Sequence, residues 1–350
     1  MRRLFQEQEL NFHTQYAELK ERARAAGPLL PGTPGNVVLR TATGHRYWYR
    51  AFQSVPGKQS ETIICKDGDK EALRLMRDRI AFAEWVAEQV RALRKLGFQV
   101  ADKSSASVLV ELHNLGAFDA ELTLVGTLAY MVWLNELGAV AASARTLDIY
   151  VARPHQLKLA APLSFLASMR ATGLPFTAVP GLKPSDRMTS VKLPGTAGLR
   201  VDVLVPGRSL GAVVRVPELE WAAQTIPHYD YLLDSTEPAA VLAGWHCIPV
   251  RVPQAPRMVW HKFYSSAKRQ DSAKAAKDRR QGIILAAALT ESDPTALRRA
   301  FRDAPTAMIN PIRPLVGELV SELAAHQTAA DVVHDCLFAP PRRKAPKDPR

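Results

Sequence analysis

Leu122-Thr123-Leu124-Val125-Gly126-Thr127, then Thr146-Leu147-Asp148-Ile149-Tyr150-Val151-Ala152, then Leu199-Arg200-Val201-Asp202-Val203 are the segments whose reading decides the fold. Side chains along a strand alternate between two faces. In the second segment Leu147, Ile149 and Val151 share one face, and Asp148 and Tyr150 share the other. In the third, Leu199, Val201 and Val203 point one way and Asp202 the other. Two strands that each carry a lone acid on the face away from the core can set two carboxylates side by side. Such a pair repels unless a cation shares it, and a hard divalent ion such as Mg²⁺ is the natural occupant. Gly126-Thr127 lies where a short apolar strand, 122–125, gives way to an apolar helix over 128–137 that Gly138 closes. Glycine lets backbone approach a ligand closely. The unpaired N–H groups of a helix start favour phosphate.

Working outward, the periodicities predict a strand over 145–152, a helix over 157–172, and two strands, 188–193 and 199–205, joined across Pro194–Gly198. Upstream stand a helix over 2–26, a Pro/Gly-rich linker over 27–35, a small antiparallel sheet (36–40, 45–54, 61–65), a long amphipathic helix over 69–96, a short strand at 98–101 and a helix over 104–115. Arg46-Tyr47-Trp48-Tyr49-Arg50 sets rings beside guanidiniums, which suits base stacking and phosphate contacts. Plain alternation in a hairpin, one face buried and one wet, accounts for it more simply. Downstream, strands at 239–242 and 246–250 precede helices over 257–268, 272–289, 294–302 and 311–325. The expected organisation is an N-terminal helix and linker (1–35), a small β segment with helices (36–115), a core (116–210), a mostly helical C-terminal domain (211–335) and a disordered basic tail (336–350).

The chain has 350 residues, 47% hydrophobic and 23% charged, in the range of soluble globular proteins. Its net charge of +12 favours polyanionic partners such as nucleotides or nucleic acid. The tail contributes Arg342, Arg343, Lys344, Lys347 and Arg350 against Asp348, so most of the excess lies elsewhere. Cys65, Cys247 and Cys336 form no C-x-x-C pair, which argues against a zinc ribbon or a disulfide framework and for a reducing, cytoplasmic setting. Charged residues follow Met1-Arg2-Arg3, and no apolar run approaches the length of a membrane span, so neither a signal peptide nor a membrane partner is expected. The P-loop, H-E-x-x-H and G-x-S-x-G patterns are absent.

Val125-Gly126-Thr127, Asp148-Ile149-Tyr150 and Val201-Asp202-Val203, in that order, resemble the polymerase β nucleotidyltransferase superfamily. Its pattern is a hydrophobic residue, Gly, then Gly, Ser or Thr, later Asp-x-Asp, and later a third acid on a strand. More narrowly, Trp260-His261-Lys262-Phe263, Arg269, Lys277-Asp278 and Gln281, with the Arg46–Arg50 segment, are similar to bacterial AbiEii-like proteins. The resemblance spans roughly residues 36–290. It implies an α/β (α+β) fold: a polymerase β-type core with a mixed sheet, an N-terminal helix and small β extension, and a helical C-terminal region. It also implies that Asp148 and Asp202 are catalytic and hold Mg²⁺, or Mn²⁺, against an NTP. Gly126, Thr127, Lys262 and Asp278 would bind the nucleotide, with Lys262 neutralising triphosphate charge. The acceptor would be a hydroxyl on RNA or on a protein, and an antitoxin-like partner is implied by the narrower likeness. This sequence departs from the pattern at Tyr150, where the family places a second acid; a protonated phenol is a poor Mg²⁺ ligand. A degenerate domain that binds nucleotide or RNA without turnover is therefore the alternative to a transferase. Residue by residue, simpler roles also exist: Lys262 as a helix-surface lysine, and Asp278 on a solvated helix face beside Lys274.

Overall fold

The computed structural model describes residues 3–55, 57–142, 146, 148–181 and 186–338. Leu147 and residues 339–350 of the expected tail lie outside the described residues, whereas Cys336–Phe338, expected in a disordered tail, end a helix, Gln327–Phe338, with Cys336 and Leu337 buried. The chain divides into two compact units: Glu7–Pro253, and Gln254–Arg350 with Met1–Gln6.

The first unit begins with helix α1 (Leu10–Ala25) and a three-stranded antiparallel sheet, β1 (Asn36–Ala42), β2 (His45–Val55) and β3 (Lys58–Lys66). Helices α2 (Lys70–Lys95) and α3 (Lys103–Asn114) follow. The Asp69 carboxylate caps α2 through the Ala72 N–H, and Asp102 caps α3 through Ser104 and Ser105, filling donors that a helix start leaves open. The central elements are β4 (Thr123–Val125), α4 (Gly126–Glu136), β5 (Asp148–Ala152), α5 (Phe165–Ala171), β6 (Thr177–Ala178), β7 (Ser190–Lys192), β8 (Arg200–Pro206), β9 (Val213–Val216) and β10 (Trp221–Ile226). Helix α6 (Tyr229–Leu233) and a hairpin of β11 (Thr236–Ala243) and β12 (His246–Pro253) complete the unit.

The main sheet is mixed. β5 runs parallel to β8, β4 pairs antiparallel with β5, and the far edge of β8 is shared between antiparallel β7 and parallel β10. β9 pairs antiparallel with β10, and β6 with β7. Ile149, Val151, Val201 and Val203 are fully buried, which anchors one face of the two central strands. A second apolar cluster joins Tyr16, Leu19, Val86, Val90, Leu93, Ala240, Leu242 and Cys247. The Tyr16 hydroxyl in it donates to Glu136 at 2.9 Å.

The other unit carries α7 (Ala255–Lys268), α8 (Ser272–Ser292), α9 (Pro294–Asp303), α10 (Thr306–Ile309), α11 (Val316–Glu322) and α12 (Gln327–Phe338). Trp260, fully buried, donates its indole N–H to the Leu297 carbonyl at 3.0 Å. Gly282 lets α8 close on α7: a Cβ there would stand 2.7 Å from the Phe263 ring.

The α/β class, mixed sheet and helical C-terminal region match the expectation, and several segments differ. The helix expected over 157–172 covers only Phe165–Ala171. Pro162 disfavours helix before it, and the Leu157 and Leu163 N–H groups are held by Glu218 instead. No strand forms at 98–101; Ala101 makes a single bridge to Ala243. The first long helix starts at Leu10. The helix expected over 311–325 shrinks to Val316–Glu322 behind a 3₁₀ turn at Arg313–Leu315, because Pro311 and Pro314 lack the N–H groups a continuous helix needs. β9, β10 and α12 were not anticipated. Arg50 lies inside: its guanidinium donates to the carbonyls of Pro31, Thr33 and Pro34 and sits 3.9 Å from the Phe52 ring centroid. It ties the 31–34 loop to the small sheet, a structural role in place of a phosphate contact.

Candidate active site

Register places the polar side chains of the two central strands on one face. Across β5 and β8, Arg200 pairs with Asp148 and Asp202 with Tyr150; across β8 and β7, Asp202 pairs with Ser190 and Arg200 with Lys192. Paired residues point the same way, so Asp148, Tyr150, Arg200, Asp202, Ser190 and Lys192 share a surface opposite the valine and isoleucine layer. The alternation read from the sequence is present. Asp202, however, is only 5% exposed.

What keeps a buried carboxylate there is a clamp. The Arg200 Nε donates to Asp202 Oδ1 at 2.9 Å, the Ser190 hydroxyl donates to the same oxygen in a very short bond, and an Arg200 Nη donates to Ser190 Oγ at 2.7 Å. Burial raises the Asp202 carboxyl above its ordinary value; Ser190 and Arg200 pull against that rise, and the nearby charge of Asp148 adds to it. Asp148, half-buried, accepts from the Tyr150 hydroxyl at Oδ2, 3.3 Å away. The Tyr150 phenol is thus bonded to the carboxylate two residues before it on the same strand face.

Gly126 opens α4 at φ +73°, a backbone state that glycine enters without steric cost. A Cβ on it would lie 2.8 Å from Cδ2 of Tyr150. The glycine thus joins the β4–α4 turn to the same polar face through the Tyr150 ring. Val125, at the N-cap, offers no side-chain cap to the helix start, and uncapped N–H groups of a helix start are of the kind an anion satisfies. Thr127 is buried, 4% exposed.

In the other unit, Lys262 and Asp278 meet. The ammonium donates to Asp278 Oδ1 at 2.7 Å, and Arg269 Nε donates to Oδ2 at 2.5 Å. Lys262 is 7% and Asp278 2% exposed, so neither lies on a solvated helix face, and Lys274 is not the partner of Asp278. Burial pushes the Asp278 carboxyl up, but Lys262 and Arg269 outweigh it and hold it below the usual carboxylate range. The pair is ionic.

A family model described as Nucleotidyltransferase matches residues 103–306, more than half of the chain. The chain belongs to this nucleotidyltransferase family. The match begins at α3 and takes in β4, α4, β5, β8, α7 and α8, hence every candidate site residue. No curated protein matches the chain. Among the described residues no helix is long and apolar enough to cross a membrane.

The donor set of the nucleotidyltransferase face limits what it can hold. Ser190 and Arg200 both bond to Oδ1 of Asp202, and Tyr150 bonds to Oδ2 of Asp148. One oxygen of each carboxylate is left without a protein hydrogen bond among the described residues. Two oxygens from neighbouring strands would suit one hard divalent ion, an ion that takes oxygen ligands and accepts water and phosphate as well. Among the described residues, no cluster of three or more His, Cys, Asp or Glu side chains assembles. The shared face of Asp148 and Asp202 is readable from the sequence, and the bonds of Arg200 and Ser190 to Asp202 were not expected from it. The i, i+2 spacing of Arg200 and Asp202 was a usable signal for the first; the pairing of β7 with β8 was needed for the second.

Proposed function

We propose that this nucleotidyltransferase moves a nucleotidyl group from an NTP to a hydroxyl acceptor, with Asp148 and Asp202 holding one Mg²⁺, or Mn²⁺. The observation that carries the reading is the placement of these two acids on one face of adjacent parallel strands, beside the Gly126 turn. The family match supports the chemistry. The order of the Gly126-Thr127 turn, Asp148 and Asp202 supports the finer kinship with the polymerase β superfamily and AbiEii-like proteins.

The backbone of Gly126 and Thr127 at the start of α4 would line the phosphates. Asp148 and Asp202 would present one oxygen each to the divalent ion, which supplies stabilisation of negative charge on the phosphate oxygens. The acceptor hydroxyl would attack the α-phosphorus and pyrophosphate would leave. We assign Lys262 and Asp278 to fixing α7 against α8, because the buried ammonium is engaged by Asp278. The +12 charge favours RNA as the acceptor over a protein.

A second reading has its own observation. Tyr150 stands where an acid is expected and Arg200 already compensates Asp202, which suits a domain that binds nucleotide without turnover. Calorimetric titration with each NTP, with and without Mg²⁺, tests the proposal in wild type and Asp148→Ala. Metal-dependent binding lost in the variant is expected. Absence of binding to every NTP would end the transferase reading.

A further inference from the structure

The face that carries Asp148 and Asp202 also carries an arginine that the family pattern does not call for. Arg200 is the register partner of Asp148 and stands two residues before Asp202 on β8. Its Nε is committed to Asp202 and one Nη to Ser190. A guanidinium has five N–H donors in a rigid planar fork. Two are used, so three donors remain without a partner among the described residues, including both on Nη1. The side chain is 37% exposed while the carboxylate it grips is 6% exposed. One edge of the fork is thus fixed inside the protein and the other reaches solvent on the face of the acids.

We propose that Arg200 is a substrate-binding residue that supplies the second positive charge of this site. In this arrangement the site uses one divalent ion and one arginine. This inference rests on the nucleotidyl-transfer reading and deepens it. The charge balance supports it. A triphosphate brought beside Asp148 and Asp202 meets two negative charges, which one divalent ion only cancels. Tyr150 removes the acid that would have ligated another ion, and with that acid it removes a negative charge. A guanidinium at this place restores a net attraction and is suited to bidentate contact with phosphate oxygens. Ser190 makes the difference between a mobile side chain and a preorganised one: with Asp202 it fixes two points of the guanidinium plane, so little conformational freedom is lost when phosphate arrives. Lys192, the neighbour of Arg200 on β7, is less suited to the role because its ammonium donates to the Thr196 carbonyl at 3.1 Å.

The test uses the full chain and three measurements. Calorimetry with MgATP, and with the other three NTPs, is compared with the matching nucleoside monophosphates, for wild type, Arg200→Gln and Arg200→Lys. Thermal unfolding checks each variant. Mn²⁺ titration followed by electron paramagnetic resonance counts ions per protein–nucleotide complex. The expected result is one Mn²⁺ per complex. Triphosphate affinity should fall by ten-fold or more in Arg200→Gln, with monophosphate affinity changing much less and Arg200→Lys in between. Unchanged triphosphate affinity in Arg200→Gln, or two Mn²⁺ per complex, overturns the inference and leaves the transferase reading in place. An equal loss for tri- and monophosphates in both variants, with a lowered unfolding temperature, also overturns it, since Arg200 then only holds Asp202. No NTP binding by wild type overturns the inference together with the reading it rests on.

Discussion

Replacing Asp278 with alanine separates a structural role for Lys262 from a nucleotide-binding one. Lys262 is buried and its ammonium is paired with Asp278 at 2.7 Å. Arg269, the other partner, has a 45% exposed side chain and can turn to water when the carboxylate is gone. The ammonium cannot. Removing one member of a buried pair typically costs about 3–5 kcal/mol, because the remaining charge is left uncompensated. Urea slopes of about 1–3 kcal/mol per molar convert that to a midpoint shift of at least about 1 M. Far-ultraviolet circular dichroism follows it, since this unit is helical. Arg269→Ala, at an exposed position, should cost about 1 kcal/mol or less. The pH dependence has a definite sign. Burial lowers the Lys262 ammonium from its ordinary value, and in the variant Asp278 no longer opposes this. A lysine whose folded value lies below its unfolded one loses stability as pH falls through the ordinary range. The deficit of Asp278→Ala relative to wild type should therefore be larger at neutral pH and shrink as pH rises through the ordinary lysine range. A variant that unfolds with wild type at neutral pH would refute the buried pair, and Lys262 would again be a candidate for the triphosphate.

Three further outcomes follow from single contacts. Gly126→Ala should lose about 1–2 kcal/mol from the left-handed backbone alone, with a further loss from the Tyr150 ring; in a double-mutant cycle Tyr150→Ala should recover only the ring part. Tyr150→Asp, opposite Asp202 in register, should lower the unfolding temperature without divalent ions and raise it with Mg²⁺, and Mn²⁺ titration should show tighter binding; a melting curve indifferent to metal would count against the site. Burial holds His246 at about 4 against an ordinary 6.5. Its unfolded form thus takes up a proton first: stability is full above pH 6.5 and falls by roughly 3 kcal/mol on the way to pH 4. His246→Gln should flatten that slope in urea midpoints measured across the range.

The central strands were legible because alternation is a local property. Asp148 and Asp202 stand out against buried Ile149, Val151, Val201 and Val203 without knowledge of any partner strand. The clamp on Asp202 was not legible, since Ser190 reaches it only through the pairing of β7 with β8. Lys262 and Asp278 are sixteen positions apart and meet because Gly282 lets two helices close; helical spacing points instead to Lys274, which is the local choice. β9 and β10, with sequences Val-Val-Arg-Val and Trp-Ala-Ala-Gln-Thr-Ile, are too short and too weakly alternating to announce themselves. They extend the main sheet past residue 210, where the expected core ends. The structural role of Arg50 was not legible because composition carries no information about the three loop carbonyls that bind it.

The central claim is transfer of a nucleotidyl group, and the position of a label decides it. Wild type, Asp148→Ala and Asp202→Ala are incubated with Mg²⁺, total RNA and each NTP labelled at either the α- or the γ-phosphate. The account predicts covalent label on an acceptor from the α-labelled nucleotide alone, in wild type alone. Label arriving from the γ-phosphate, equal labelling by the Asp148→Ala protein, or no labelling from any nucleotide despite metal-dependent binding would contradict it.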